Sequence, residues 1–295
     1  MKTKGVLVFA RNNSQIDYIK QAYFLAQRVK KYLDLPTSIV TDSIDYLKYA
    51  YPDYEDIFDQ VISVVWKEQD LAQNTVLSRG EKHQLRVFYD GSLISKKLDW
   101  KNELRTAAFD VSPYEETLLL DTDVVICNDI FLKCFDQTHD FLIYKESYDL
   151  VDIDRGDDFT KVSDTSVDFY WATVIFFRKT EKNQIFFDLV KHIQENWNHY
   201  CSIFQTNTPY YRNDYAFSIA IHIMNGYQTG DFAHPLPGHL YFITDKSILW
   251  KITDDQAFLL LEKPKYAGEY TPLTITGSNI HVMNKFSLNR CIDEQ

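Results

Sequence analysis

The chain has few of the residues that mark several common protein classes. Only four of its 295 residues are cysteines, and they show no CxxC pair and no zinc-like spacing: Cys127, Cys134, Cys201 and Cys291. This pattern indicates neither a zinc site nor a disulfide framework, and it favours a reducing, cytoplasmic setting. The residues after Met1 contain no apolar stretch of secretory length, and no apolar run is long enough to span a bilayer.

Positive charge is also in short supply. The 31 basic residues are outnumbered by 42 acidic ones, which gives a formal charge of −11. Because no long run of lysine and arginine occurs, we expect no bulk attraction to nucleic acid or to an anionic membrane. An acidic surface with a cation-filled pocket would suit an anionic nucleotide.

Glycine-rich phosphate loops are missing as well. The chain has nine glycines, and neither G-x-G-x-x-G nor a Walker pattern is found. This argues against a dinucleotide-dependent dehydrogenase or a P-loop NTPase. No G-x-S-x-G elbow of a hydrolase occurs either. An enzyme without these devices can still neutralise a diphosphate with a metal ion.

The rest of the composition is that of a globular protein with a large core. Hydrophobic residues make up 45% of the chain, charged residues 25% and aromatic residues 15%, which argues against disorder. Apolar spacing predicts a strand–helix–strand opening over 5–10, 18–33 and 37–41. We therefore expect a single-domain α/β fold with a mixed, mostly parallel central sheet and helices on both faces.

Later elements are less regular along the chain. Residues 67–98 have a mixed, loop-rich pattern, residues 149–168 form an acidic surface loop, and short strands follow Pro235. Strands are predicted over 59–66, 117–126, 141–144 and 167–177, and helices over 102–109, 183–200 and 213–224.

An acidic triplet in segment 117–126 is the most informative motif. An apolar run leads into Asp121-Thr122-Asp123, and a second apolar run follows. Carboxylates are costly to bury without compensation, and residues two apart in a strand point to the same side. Asp121 and Asp123 could therefore bind one hard cation, Mg²⁺ or Mn²⁺, at the end of a buried strand. The alternative is a turn or a solvated cap, which the apolar flanks disfavour.

Four short segments occur in an order that resembles a known enzyme family. They are Phe9-Ala10-Arg11-Asn12-Asn13 with Tyr18 after it, Asn102-Glu103-Leu104-Arg105, Leu120-Asp121-Thr122-Asp123, and Arg212-Asn213-Asp214-Tyr215-Ala216. Together they resemble the GT-A glycosyltransferases, and most nearly the glycogenin-like family 8 enzymes. The resemblance extends over residues 5–226, with a possible C-terminal element at His281.

The resemblance implies transfer of a sugar from a nucleotide-sugar donor, with a UDP-sugar expected, assisted by Mn²⁺ or Mg²⁺. The acceptor stays open between a glycan, a lipid-linked sugar, a protein and a modified base. Residues 1–235 would form the nucleotide-sugar-binding core. Residues 236–295 would complete the same domain and the rim of the active site.

The resemblance also implies roles for individual residues. Asp214 would be the catalytic carboxylate near the transferred sugar. The metal ligands would be Asp121, Asp123 and His281. The donor would be bound by Ala10, Asn13, Tyr18, Asp42, Arg105, Asp121 and Lys285. Plainer alternatives are a surface arginine for Arg105, a helix cap for Asp214, a strand-terminal turn for Asp42 and a structural histidine for His281.

Two features depart from the family pattern. Lys285 follows His281 by four residues, whereas the family's lysine follows its histidine by six. In addition, Trp171 stands where the family has an Asn-Ala/Ser-Gly turn. Trp171 could stack on a sugar face or belong to the aromatic core.

Two other functions remain open. The Trp171 departure could mark a degenerate protein that binds a nucleotide or a glycan without turnover. A nucleotidyltransferase also uses paired acids and Mg²⁺. That class would usually open with a glycine-rich loop, which segment 10–14 lacks.

Overall fold

The computed structural model describes residues 2–63, 85–100, 103–151, 159–164, 166–206 and 208–294. Its strands are β1 (Lys2–Ala10), β2 (Thr37–Thr41), β3 (Gln60–Ser63), β4 (Leu85–Tyr89), β5 (Ser95–Asp99), β6 (Tyr114–Leu120), β7 (Val124–Val125), β8 (Phe141–Tyr144), β9 (Tyr148–Asp149), β10 (Trp171–Arg178), β11 (Tyr241–Ile243), β12 (Ile248–Ile252), β13 (Gln256–Lys263), β14 (Tyr266–Thr276) and β15 (Ile280–Val282). Its α-helices are α1 (Tyr18–Tyr32), α2 (Ile44–Ala50), α3 (Tyr54–Ile57), α4 (Ala108–Val111), α5 (Glu181–Glu195), α6 (Trp197–Ile203), α7 (Asn213–Met224) and α8 (Lys285–Asp293), with 3₁₀ turns at Glu103–Ala107 and Ile130–Cys134.

The opening strand–helix–strand unit forms as its apolar spacing predicts. Asp17 caps α1, because its side chain accepts a hydrogen bond from the Lys20 amide. The helix packs on β1 and β2, which pair in parallel from Val6 opposite Thr37 onward. The predicted elements over 5–10, 18–33 and 37–41 are confirmed.

The central sheet has the strand order β3-β2-β1-β6-β10-β8. Its first four strands are parallel, and β10 pairs antiparallel with β6 and with β8. The consecutive residues Leu118, Leu119 and Leu120 are all buried, so β6 is covered on both faces. The prediction of an α/β fold with a mixed, mostly parallel central sheet is confirmed.

The single strand predicted over 117–126 is wrong. The segment forms β6, then a turn at the acidic triplet, and then the short strand β7. The turn closes because the Val124 amide donates to the Asp121 carbonyl at 3.2 Å. β7 belongs to a second sheet with the order β7-β15-β11-β9, so the chain leaves the central sheet immediately after Leu120.

Other bounds also differ from the predictions. The helix predicted over 183–200 is two helices, because α5 ends at Glu195 and α6 begins at Trp197. The predicted strand over 167–177 begins only at Trp171. The helix predicted over 102–109 is a 3₁₀ turn followed by α4, and its first residue lies outside the described residues.

A hairpin was missed in the region expected to be loop-rich. β4 and β5 pair antiparallel, with Arg86 opposite Leu98 and Val87 opposite Lys97. The rest of that region, 67–84, lies outside the described residues, as do residues 152–158 of the expected acidic loop.

The C-terminal fifth of the chain joins the earlier part through the second sheet. β11 and β15 follow residue 235, whereas their neighbours β9 and β7 precede it. β12, β13 and β14 form a separate antiparallel sheet. The division at residue 235 stays a prediction. Within the described ranges, no helix combines the length and apolarity that crossing a membrane requires.

We expect Gly5→Ala to destabilise the fold, because β1 and β6 approach each other closely at this position. A methyl group at Gly5 would lie 2.3 Å from the buried ring of Tyr114. Urea denaturation should show a loss of about 1–3 kcal/mol in the free energy of unfolding. Lys4→Ala, on the exposed neighbouring residue, should change it by less than about 0.5 kcal/mol. Equal effects of the two substitutions would contradict this packing argument.

Candidate metal centre and ligand cleft

The acidic turn and the C-terminal strand β15 are hydrogen-bonded to each other. The Asp121 amide donates to the Thr173 carbonyl of β10, and the Val282 amide donates to the Asp123 carbonyl, both at 2.9 Å. β15 places His281 opposite Val124. Through these backbone contacts, a residue 158 positions further along the chain lies beside Asp123.

Three side chains with metal-ligating atoms converge at this turn. Asp121, Asp123 and His281 each offer one ligand atom, and these atoms all lie within 4.8 Å of one another. Two carboxylates and an imidazole suit Mn²⁺ and are acceptable to other divalent ions. The donor set therefore fits the cation that the sequence predicts. Its occupancy by a metal stays a proposal.

Each carboxylate of the turn also contacts a cationic side chain. Arg105 Nη2 lies 2.7 Å from Asp121 Oδ1, and Arg105 is only 4% exposed. Lys285 Nζ lies 2.6 Å from Asp123 Oδ2, and His281 Nε2 lies 3.1 Å from the same oxygen. A buried carboxylate needs such compensation. Arg105, Lys285 and His281 supply it.

Lys285 reaches Asp123 although it follows His281 by only four residues. β15 ends at Val282, and Asn284 then caps α8 by accepting a hydrogen bond from the Ser287 amide. Lys285 is the first residue of that helix. The short spacing is thus taken up by a strand that ends directly before a capped helix.

The two carboxylates have opposite pKa shifts. Burial and repulsion from Asp123 raise the pKa of Asp121 to about 6, and the attraction of Arg105 only partly offsets them. Burial also acts to raise the pKa of Asp123, but Lys285 and His281 outweigh it and hold that pKa well below its ordinary value. Asp123 is therefore ionised at any physiological pH, whereas Asp121 titrates in the range of mild acidity.

Gln21 of α1 holds the turn against α8 from behind. It is fully buried, and its Oε1 accepts a hydrogen bond from Thr122 Oγ1 at 3.1 Å. Its Nε2 donates to Asn289 Oδ1 at 2.8 Å and to the Lys285 carbonyl at 3.3 Å. A buried amide with this many partners fixes both segments. Gln21 stands between apolar positions of α1, and no sequence motif indicated this role.

A cleft opens beside the acidic turn. Its volume is about 190 Å³, which leaves room for several water molecules. This is enough for a cation with its coordinated waters. The lining residues are Phe9, Arg11, Tyr18, Arg86, Trp100, Leu104, Arg105, Asp121, Thr122, Asp123, Phe159, Trp171, Ala172, Thr173, Arg212, Asn213, Asp214, His281, Met283 and Lys285.

The cleft brings together most of the residues that the sequence selected. Those in its lining are Tyr18, Arg105, Asp121, Asp123, Asp214, His281 and Lys285. Tyr18 is a protonated phenol here, because burial and the charge of Asp123 raise its pKa well above the ordinary value. These residues come from five separate segments of the chain.

Three selected residues lie outside this lining. Ala10 is buried at the end of β1. Asn13 shapes the following turn, since its Oδ1 accepts from the Ile16 amide and its Nδ2 donates to the Asp99 carbonyl. Asp42 forms an ion pair with Arg11 at 2.8 Å, so it lies one contact away from the cleft. Their part in nucleoside binding stays a prediction.

Asp214 is not a helix cap. It is the second residue of α7, and Arg212 occupies the cap position without a capping hydrogen bond from its side chain. Asp214 Oδ1 instead accepts from the Ala172 amide of β10 at 3.0 Å, and Oδ2 accepts from Arg212 Nη2 at 3.0 Å. The carboxylate therefore joins α7 to the start of β10 at the wall of the cleft.

Trp171 belongs to an aromatic cluster that backs the cleft. It is 1% exposed and packs against Phe159, Phe242 and the edge of the His281 ring. Its Nε1 is buried and has no hydrogen-bond partner among the described residues. The His281 Nδ1 atom is in the same situation. Burial leaves Trp171 little face for stacking on a sugar and makes it mainly a core residue.

Sequence reasoning missed several cationic residues of the lining. Arg11 and Arg212 stand within the segments quoted above but were given no role. Arg86 lies on β4 in the region expected to be loop-rich, and no local motif marks it. Only the packing of the β4–β5 hairpin against the cleft reveals it.

Comparison with known proteins gives matches at the level of structure only. No family model matches the chain, and no curated protein matches it. Mouse xyloside xylosyltransferase 1 in its apo form matches with 10% identity and a TM-score of 0.45, over 79% of this chain and 85% of the other. The galactosyltransferase LgtC, in complex with donor and acceptor sugar analogs, matches with 11% identity and a TM-score of 0.44, over 74% and 70%. Both are glycosyltransferases, the class that the sequence resemblance named, but at these values the matches assign no activity to this chain.

We expect Mn²⁺ affinity to fall in mild acid, because a proton on Asp121 competes with the metal. Titrations on His281→Gln, which removes the imidazole as a second proton acceptor, isolate this effect. In that variant the affinity should fall roughly tenfold for each pH unit below the Asp121 pKa of about 6. Asp121→Asn made in the same His281→Gln background should bind weakly at every pH and lack this fall. An affinity of His281→Gln that stays flat between pH 5 and 7.5 would contradict the assignment.

The two acidic residues should also differ in their effect on stability without metal. Asp123→Asn removes the counter-charge of Lys285 at a side chain that is 4% exposed. We expect it to lower the free energy of unfolding by about 3 kcal/mol at pH 7. Asp121→Asn is the matched control, because the raised pKa of Asp121 means that its ionised form is already disfavoured, and its side chain is 38% exposed where it borders the cleft. A larger loss in the control, measured by urea denaturation, would refute this ranking.

Proposed function

We propose that the protein is a metal-dependent glycosyltransferase that uses a nucleotide-sugar donor, with a UDP-sugar as the expected one. The observation that carries the proposal is the convergence of Asp121, Asp123 and His281 at an open cleft with Arg105 and Lys285 beside them. The donor set suits Mn²⁺ or Mg²⁺, and the flanking cations suit a diphosphate. The order of segments along the sequence supports the same reaction.

In this reaction the bond between the sugar carbon and the diphosphate oxygen breaks, and its electron pair stays on the diphosphate. A divalent ion held by Asp121, Asp123 and His281 would stabilise the negative charge on that leaving group. Arg105 and Lys285 are the protein's own contribution, since their ion pairs with the turn hold two cationic donors where the diphosphate would bind. Contacts that strengthen as this charge develops accelerate the reaction.

We assign Asp214 to the sugar side of the cleft. Both of its oxygens already accept hydrogen bonds, from Ala172 and from Arg212. These two hydrogen bonds hold the carboxylate in place as a fixed negative charge. We therefore propose that Asp214 orients the sugar and stabilises positive charge that develops at its reacting carbon. The acceptor oxygen bonds to that carbon as the diphosphate leaves, and the leaving diphosphate is a group that could accept the proton of the acceptor hydroxyl.

The other two candidate functions use the same residues differently. A binding protein without turnover would hold the nucleotide in this cleft and release no product. A nucleotidyltransferase would use the paired acids to join a nucleoside triphosphate to a sugar phosphate, releasing pyrophosphate. Nothing in the cleft favours either over glycosyl transfer, since the cationic side chains serve all three.

Calorimetry with UDP and slow hydrolysis of UDP-sugars test the proposal together. UDP should bind in the presence of Mn²⁺ and bind at least tenfold more weakly with a chelator. The purified protein should then release UDP from at least one UDP-sugar in a metal-dependent manner. Asp214→Asn should keep UDP affinity within a few-fold and lose most of the hydrolysis, because it acts on the sugar and not on the diphosphate.

Three results would count against this function. An equal UDP affinity with and without Mn²⁺ would contradict the proposed role of the acidic turn as a metal site. Metal-dependent binding without release of UDP from any UDP-sugar would favour the binding protein. Pyrophosphate release from UTP and a sugar phosphate would favour the nucleotidyltransferase.

A further inference from the structure

Arg86 has hydrogen-bonding capacity that no residue of the described chain uses. Its guanidinium lies 5.1 Å from the ring centroid of Trp100 and 5.4 Å from that of Phe88. Within the described ranges it forms no ion pair at 4.0 Å or less. An arginine held by ring stacking presents its donors in a fixed plane, and this one presents them at the cleft.

Arg212 is a second incompletely satisfied guanidinium in the same lining. Its Nη2 donates to Asp214 at 3.0 Å, and its guanidinium carbon lies 5.1 Å from the ring centroid of Tyr215. Its Nε is buried and has no partner in the part of the chain that the structure describes. A buried donor without a partner is costly unless a ligand supplies the acceptor.

The two arginines line the same cleft, where their positive charges oppose each other. Burial lowers the pKa of Arg86, and the charge of Arg212 lowers it further. Asp245 attracts Arg86 from a longer distance, but its Oδ2 accepts a hydrogen bond from the Tyr89 amide at 3.3 Å. No carboxylate of the described chain bridges the two arginines. Like charges brought together in a cleft indicate a site for an anion.

The charges of the described lining leave Arg86 without a role toward the donor diphosphate. Five cationic side chains, Arg11, Arg86, Arg105, Arg212 and Lys285, face three carboxylates, Asp121, Asp123 and Asp214. Arg105 and Lys285 already flank the metal ligands, and a divalent ion would balance the two charges of a nucleoside diphosphate ester. Arg11 is paired with Asp42. Arg86 is the positive charge left over.

We propose that Arg86, together with Arg212, binds a second oxyanion, a carboxylate or a phosphate, carried by a substrate in addition to the diphosphate. The inference rests on the proposed function in one respect, that the diphosphate occupies the acidic turn. The oxyanion has two possible sources. It is the carboxylate of a charged donor sugar, or it is the phosphate of an acceptor. In both cases the enzyme selects a charged substrate over its neutral counterpart.

Pairwise titrations with wild-type protein, Arg86→Gln and Lys97→Gln test this. Lys97 is the matched control, because it is an exposed cation on the same hairpin, opposite Val87 and away from the cleft. The donor pair is UDP-glucuronic acid against UDP-glucose, with Mn²⁺. The acceptor pair is glucose 6-phosphate against glucose, titrated both with and without saturating UDP and Mn²⁺.

In one of the two pairs, wild type should bind the charged member at least tenfold more tightly than the neutral one. Arg86→Gln should bring that ratio close to one and leave UDP affinity within about twofold, whereas Lys97→Gln should keep the wild-type ratio. Affinity ratios near one in both pairs for wild type would overturn the inference. An equal loss of affinity for charged ligands, neutral ligands and UDP in Arg86→Gln would overturn it as well. Failure of the proposed function has a different signature: UDP does not bind, or it binds equally well with and without Mn²⁺. In that case the titrations of glucose 6-phosphate and glucose without nucleotide still test the role of Arg86.

Discussion

The compensation of one buried carboxylate organises the site. Asp123 is 4% exposed and contacts Lys285 and His281, so its negative charge is stable only while the acidic turn, β15 and the start of α8 stay together. Asp123 of the acidic turn lies 158 positions before His281 of β15, and α8 begins directly after that strand. The β7–β15 pairing and the buried amide of Gln21 fix the same arrangement from two other directions. The cleft beside the turn exists because these constraints agree.

The same compensation bears on how the cleft would receive its proposed ligands. Arg105 and Lys285 form ion pairs with the two carboxylates of the turn. A divalent ion would take over that compensation, and the two side chains could then turn their donors toward a diphosphate. Ion pairs of this kind, which a bound metal ion and diphosphate would replace, would order the side chains of the cleft and leave its space open. This would explain why the predicted ligands form ion pairs and still border an open space.

Local patterns predicted much of this molecule, and tertiary contacts account for what they missed. The local spacing of apolar residues is enough to identify α1, β1 and β2, so those elements were predicted correctly. Segment 117–126 looked like one strand because both of its halves are apolar. Its turn depends on the Thr173 carbonyl and on β15, neither of which is local. Arg86 and Gln21 were missed for a similar reason, since their roles arise only from packing against distant segments.

Diffraction from crystals soaked in Mn²⁺, at a wavelength that gives the metal an anomalous signal, would locate a divalent ion at the acidic turn. We expect a peak bonded to oxygens of Asp121 and Asp123 and to the imidazole of His281, with Lys285 displaced from Asp123. No peak at the turn, with the Asp121–Arg105 and Asp123–Lys285 contacts unchanged at saturating Mn²⁺, would contradict this expectation.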